Sequence, residues 1–154
     1  MELLRAKPED LLHIMQIIND AQNLLAKQNI NQWQNGYPTE SLILNDIKSC
    51  ESYVLKLDKK LIIATAMFSI NEEPTYSKIE GQWITSNQTI YGVIHRMAVS
   101  KNFRRTGVAK FIFNKCEEFL LKNNIKSMRI DTHIDNIGMQ NLLKSLNYIH
   151  CGNI

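Results

Sequence analysis

Residues 91–113, YGVIHRMAVSKNFRRTGVAKFIF, decide how this chain folds. The stretch opens as an apolar, β-branched run containing Val93, Ile94, Met97 and Val99, which reads as a strand. It crosses a short basic connector, Ser100 to Arg105. It then passes through Thr106-Gly107-Val108-Ala109 into an amphipathic helix. A strand, a glycine-containing turn and a helix N-terminus together make an anion site. The first N–H groups of a helix have no internal partners, and the helix dipole favours negative charge there. Arg104 and Arg105 add planar donors that suit phosphate. Lys101 and Lys110 bracket the same turn, which fits a small polyanionic ligand better than a long duplex.

On the N-terminal side, Glu2 to Ala6 reads as a short first strand, and Pro8 suits a first helical position. Leu11, Ile14, Met15, Ile18, Ala21, Leu24 and Leu25 recur at three and four, predicting a long helix that ends near Gln28. Asn35-Gly36 and Pro38 break the pattern, and Thr39 caps a second helix with Leu42, Ile43 and Ile47 as its apolar face. From Glu51 the period becomes two. Residues 51–57 and 61–70, joined by Asp58-Lys59-Lys60, predict an antiparallel hairpin. Residues 71–88 read as a polar loop with one helical turn, and Thr89 to Val99 as the central strand.

On the C-terminal side, Val108, Ile112, Cys116 and Phe119 give the next helix its buried face, ending at Asn123-Asn124. Ser127 to Thr132 is a predicted strand. Asp135 or Asn136 caps a helix with Met139, Leu142, Leu143 and Leu146 as its stripe, which Asn147 closes. Tyr148 to Cys151 is a predicted final strand. The order predicts an α/β (α+β) mixed sheet with helices on both faces. The step from Thr89–Val99 over a helix to Ser127–Thr132 is expected to be parallel and right-handed.

Composition bounds the function. A chain of 154 residues is expected to form a single domain, residues 1–154. The net charge of +3 is too mild for the concentrated basic stripe of a nucleic-acid reader. The aromatics are also not interleaved with Lys and Arg as stacking platforms require. Cys50, Cys116 and Cys151 are odd in number and far apart, without a CxxC pair, which argues against a disulfide framework and a zinc site. No apolar run approaches the ~18 residues of a membrane span, and the N-terminus turns acidic too early for a signal peptide. The expectation is a cytoplasmic protein with no metal and no membrane partner.

Arg104-Arg105-Thr106-Gly107-Val108-Ala109 fits [R/Q]-x-x-G-x-[G/A] after a hydrophobic strand, and in that context it resembles the GNAT superfamily of acyl-CoA-dependent N-acyltransferases. Downstream, Asn136-x-x-Met139-x-x-Leu142-Leu143-x-x-x-Asn147-Tyr148 resembles the family's N-x-x-[A/M]-x-x-L-[Y]-x-x-x-G-F signature. The resemblance implies a mostly antiparallel sheet with one parallel, splayed pair. It implies acetyl-CoA as co-substrate, with its pyrophosphate on the backbone of Arg104, Arg105, Thr106, Gly107, Val108 and Ala109. Its pantetheine would lie along Met97, Ala98 and Val99, with Asn136 and Met139 beside it. It implies a small-molecule or peptide amine as acceptor, with Trp33 and Tyr37 in the wall of its pocket, and a homodimer is among its expectations. Two departures stand out. Leu143 occupies a position where the family often has an acidic tyrosine. The family usually has one more strand after the one that starts at Tyr148, whereas this chain stops at Ile154.

The implied reaction is direct attack of an uncharged amine on a thioester. A lysine-type amine (pKa ~10.4) is neutral only about 0.04% of the time at pH 7, so a base is needed. The central-strand glutamate of many relatives falls at Val93 here. The remaining candidates are His95, then His133 with Asp131, which alternation places on one side of the strand. His13 and His150 read as structural. The leading expectation is an acetyl-CoA-dependent N-acetyltransferase for a small or peptide amine, with an N-acetyltransferase for protein N-termini as a rival within the enzyme class. The alternative is a non-catalytic acyl-CoA-binding or regulatory domain.

Overall fold

A computed structural model describes all 154 residues. Strand β1 (Glu2–Arg5) leads through a single turn at Pro8–Asp10 into helix α1 (Leu11–Lys27), followed by α2 (Glu40–Lys48). Strands β2 (Ser52–Lys56) and β3 (Ile62–Ser69) form a hairpin. The next segment holds a turn at Pro74–Tyr76 and the short β4 (Glu80–Gly81). Then come β5 (Gly92–Val99), α3 (Val108–Lys122), β6 (Met128–Arg129), α4 (Ile137–Ser145) and β7 (Gly152–Asn153).

Five strands make the main sheet in the order β1-β2-β3-β5-β6. All neighbours are antiparallel except β5 and β6, which run parallel. This is the expected mixed sheet. Its two faces are read from alternation: Val54 and Ile62 pack with Ile14, Ile18, Ile43 and Ile47 of α1 and α2, while Leu55 and Ile63 pack with Ile112, Phe113 and Leu120 of α3. Local chemistry sets the boundaries. Asp58 Oδ1 accepts from the N–H groups of Lys60 and Leu61 at the hairpin turn. Thr39 accepts from Leu42 N at 3.2 Å, and Asn136 from Met139 N at 3.0 Å, capping α2 and α4. Asn147 closes α4 in the left-handed region, with φ 64°.

Two predicted strands are shorter than expected and a third does not form. Pairing of the central strand begins at Gly92, not Thr89, and the 127–132 strand pairs only at Met128 and Arg129. Residues 148–151 form no strand. The only pairing there joins Gly152–Asn153 to β4, in a separate two-stranded sheet. The physical reason is common to all three: an apolar pattern reports which side chains are buried, not whether a backbone edge has a neighbour. Tyr148 does pack inward, against Phe113. With no strand beyond β6, a cavity of about 1170 Å³ runs beside it, lined by Trp83, Ile130, Thr132, Leu143, Leu146 and Ile149 among others. No helix is long and apolar enough to cross a membrane.

Candidate active site

The cleft begins with an irregularity in β5. On β3 the register moves from Thr65 to Met67 while on β5 it moves from Ala98 to His95, so β5 carries one extra residue. Arg96 takes up the distortion at φ 51°, a region non-glycine residues seldom occupy. Its guanidinium makes a two-pronged ion pair with Asp46 of α2, at 2.8 Å for both Nε–Oδ2 and Nη2–Oδ1. Nη1 donates to the Tyr37 hydroxyl at 3.1 Å. Burial opposes the Arg96 charge, but these partners hold its pKa above the ordinary value.

The bulge also sets which backbone groups are open. The Ser100 N–H bonds to Ile63 O at 2.8 Å, toward β3. Alternation then puts the polar groups of Ala98 on the β3 side and those of Met97 and Val99 on the opposite edge. Only Gly92 and Val93 are paired with β6, so beyond them that edge lies open. The Val99 carbonyl takes a side-chain donor, Arg104 Nε, at 3.3 Å.

The turn after β5 follows directly on that unpaired stretch of the strand. Arg105 and Gly107 are left-handed, at φ 59° and 85°. Gly107 is the N-cap of α3, and a Cβ built there would meet no atom within 4 Å. No backbone N–H from residue 105 to 110 donates to another protein group. Arg104 Nη2 is buried without a partner. Converging, unsatisfied donors at a helix N-terminus, unobstructed at Gly107, can hold a phosphate or pyrophosphate.

His95 stands where β5 and β6 part, and four side chains meet there. Its Nε2 lies 2.9 Å from Glu73 Oε2 and its Nδ1 lies 3.6 Å from Asp131 Oδ1. The Tyr76 hydroxyl donates to the same Asp131 oxygen. Burial works against ionising Glu73, but donors from the Thr75 N–H and hydroxyl and from His95 outweigh it, holding Glu73 below the usual carboxylate range. Burial, then Asp131, pushes the Tyr76 phenol far up, so it stays protonated and donates. A carboxylate only accepts, so Nε2 carries the proton toward Glu73. In the neutral ring Nδ1 keeps its lone pair, and the arrangement can accept a proton there.

The other predicted residues are placed differently. The structure does not pair His133 with Asp131. His133 Nδ1 accepts from Asp135 N at 3.2 Å and holds its own turn, because Asp131 is already engaged by Tyr76. Trp33 is partly buried against the α1–α2 core and also lines the large cavity. Tyr37 is joined to the site through Arg96. Asn136 has both side-chain groups occupied, accepting from Met139 N and donating to Gln32 Oε1 at 2.8 Å. Met139 and Leu143 pack partly buried against the α3 core. Glu73 and Tyr76 escaped sequence reasoning. They lie in a polar loop whose composition carries no period, and only Pro74, marking a turn, hinted that the segment is held in place. No group of three or more His, Cys, Asp or Glu side chains is arranged to hold a metal.

The model of the Acetyltransferase (GNAT) family matches residues 18–148. A crystal structure of a GNAT-family acetyltransferase from Streptococcus agalactiae is similar, with a TM-score of 0.86 and 31% identity, covering 98% of this chain and 86% of that one. A putative acetyltransferase from Staphylococcus aureus follows at a TM-score of 0.75 and 22% identity, over 95% and 90%. An aminoglycoside 6'-N-acetyltransferase from Acinetobacter haemolyticus shares the fold, with a TM-score of 0.66 and 16% identity over 100% and 94%. No curated protein matches by sequence.

Proposed function

The chain belongs to the Acetyltransferase (GNAT) family, and from that premise we propose that residues 1–154 form one catalytic domain. It transfers an acetyl group from acetyl-CoA to a primary amine of a small molecule or peptide, by direct attack in a ternary complex. The observation that carries this reading is His95 at the parting of β5 and β6, its Nε2 held by Glu73 at 2.9 Å and its Nδ1 3.6 Å from Asp131.

The residues present fit the coenzyme. The unpartnered N–H groups of residues 105–110 and the orphaned Arg104 Nη2 suit the pyrophosphate. The open edge at Met97 and Val99 suits the pantetheine amides, which would pair with it as a further strand. One N–H on that edge would stabilise the oxyanion that develops as the amine attacks. In the proposed chemistry the N–C bond forms as a proton leaves the amine for His95 Nδ1. The C–S bond then breaks, and the same proton returns from the imidazolium to the thiolate. Glu73 keeps the ring oriented, and Asp131 faces the proton while Nδ1 holds it.

Leu143 favours a second reading. It offers no hydroxyl at a position where the resemblance implies that a tyrosine is frequent, as a non-catalytic acyl-CoA-binding domain would tolerate. Calorimetry with acetyl-CoA followed by a thiol-release assay over polyamines, aminosugars, amino acids and peptides separates the two. Failure to bind acetyl-CoA sinks both. Tight binding with no turnover leaves the non-catalytic reading. For the enzyme, His95→Ala is expected to lower kcat about 100-fold or more and to flatten the acidic limb of the rate–pH profile. An unchanged profile removes His95 as the base.

A further inference from the structure

Arg129, at the end of β6, is 4% exposed and takes part in none of the molecule's ion pairs. Burying a guanidinium without a counter-ion is costly, and an apolar side chain would fill the same space at less expense. What the guanidinium does here is directional. Its carbon sits 4.4 Å from the ring centroid of Trp83 and 4.2 Å from that of Tyr91. Its Nη2 donates to Thr85 O at 3.3 Å, Thr85 Oγ1 at 3.2 Å and Ser86 O at 3.1 Å, while Nε is left without a partner. Every one of these contacts is to the segment between β3 and β5, which otherwise has little regular structure.

From Arg129 two routes lead to the same imidazole. The Tyr91 hydroxyl accepts from Glu73 N at 3.3 Å, and the Glu73 carboxylate holds His95 Nε2. Trp83 Nε1 donates to Tyr76 O at 3.0 Å, the Tyr76 hydroxyl donates to Asp131, and Asp131 lies beside His95 Nδ1. We propose that Arg129 is a positioning residue for the acetyl transfer: it clamps the 73–91 segment onto β6 and thereby fixes both carboxylates against His95. The role rests on the reading of His95 as the base. Arg129 itself touches no reacting group.

The titratable groups facing His95 are Glu73, Tyr76 and Asp131, and each is held along one of the two routes, so loosening the clamp changes the setting of His95 from both sides. The test compares Arg129→Met and Arg129→Lys with the unaltered protein and with Val54→Ala. Val54 lies on β2 within the other core, and its truncation reports plain destabilisation. Rates are read well below the melting temperature of every variant. Arg129→Met is expected to lower kcat about 10- to 100-fold, with the acetyl-CoA dissociation constant changed less than about twofold. The acidic limb of its rate–pH profile should shift, and Arg129→Lys, which keeps the charge without the planar fork, should recover part of the loss. Val54→Ala should leave kcat and the profile unchanged. A full-rate Arg129→Met with an unshifted profile overturns the proposal. So does a loss of rate that Val54→Ala matches at equal loss of melting temperature. Should the unaltered protein acetylate no amine, the enzymatic reading fails separately. The clamp is then judged by NMR titration of the His95 ring, which in Arg129→Met should move toward that of Glu73→Gln; a titration identical to the unaltered protein overturns it.

Discussion

Glu73 shows how one side chain ties the site to solution conditions. Its folded pKa is depressed, so its contribution to stability is present above the unfolded value of about 4.3 and is lost as pH falls through the folded value. Denaturant titration should therefore find Glu73→Gln less stable than the unaltered protein at neutral pH, with the gap closing as the solution is made more acidic than that range. A gap that is constant with pH would mean the depression is not real. The cysteines give a second residue-scale expectation. Burial pushes the Cys116 thiol up to about 12, whereas Cys50 is exposed. The thiolate is the reactive form, so alkylation followed by mass spectrometry should label Cys50 readily and Cys116 only after unfolding.

At the scale of elements, two glycines, one opening β5 and one capping α3, separate stability from binding. At Gly92 an added Cβ would lie 2.6 Å from Leu120, so Gly92→Ala should cost about 1–3 kcal/mol through overpacking and leave coenzyme affinity nearly intact. At Gly107 an added Cβ meets nothing, and the cost is the left-handed φ, about 1 kcal/mol for Ala. Gly107→Val should nonetheless abolish acetyl-CoA binding, because it crowds the phosphate cradle; thermal melts and calorimetry together check both. The same unit shows what the chain discloses unaided. Residues 91–113 announce strand, turn and helix because period, glycine and donors all lie within one short span. His95 and Asp131 are visible as residue types. Their meeting is not, because it depends on the bulge at Arg96, and nothing in the local pattern marks that residue as left-handed. Glu73 is illegible for a different reason: its role comes from a contact 22 residues away in a loop without periodicity. The pairing limits of β6 and the fate of residues 148–151 are illegible for a third. A strand's neighbour is a property of the assembled sheet.

Taken whole, the molecule is a sheet with a separate core on each face, and β5 contributes to both: Ile94 belongs to the α3 side and Ala98 to the α1–α2 side. The charge distribution follows the same strand. Lys101, Arg104, Arg105 and Lys110 gather past its C-terminal end, while Glu73 and Asp131 flank its middle. On the proposed function, a polyanionic coenzyme would be drawn to the strand's C-terminal end and a cationic amine to its middle. The half-open edge of β5 has a consequence for how its amide protons behave. Those facing β3, at Ala98 and Ser100, should exchange with deuterium slowly, and those at Met97 and Val99 quickly, giving an alternating record along a single strand. The unpartnered amides of residues 105–110 should belong to the fast class too. A ligand that lies down as one more strand should turn the fast members slow and leave the slow ones as they were. Exchange would then record its footprint residue by residue, whether or not any amine is ever acetylated.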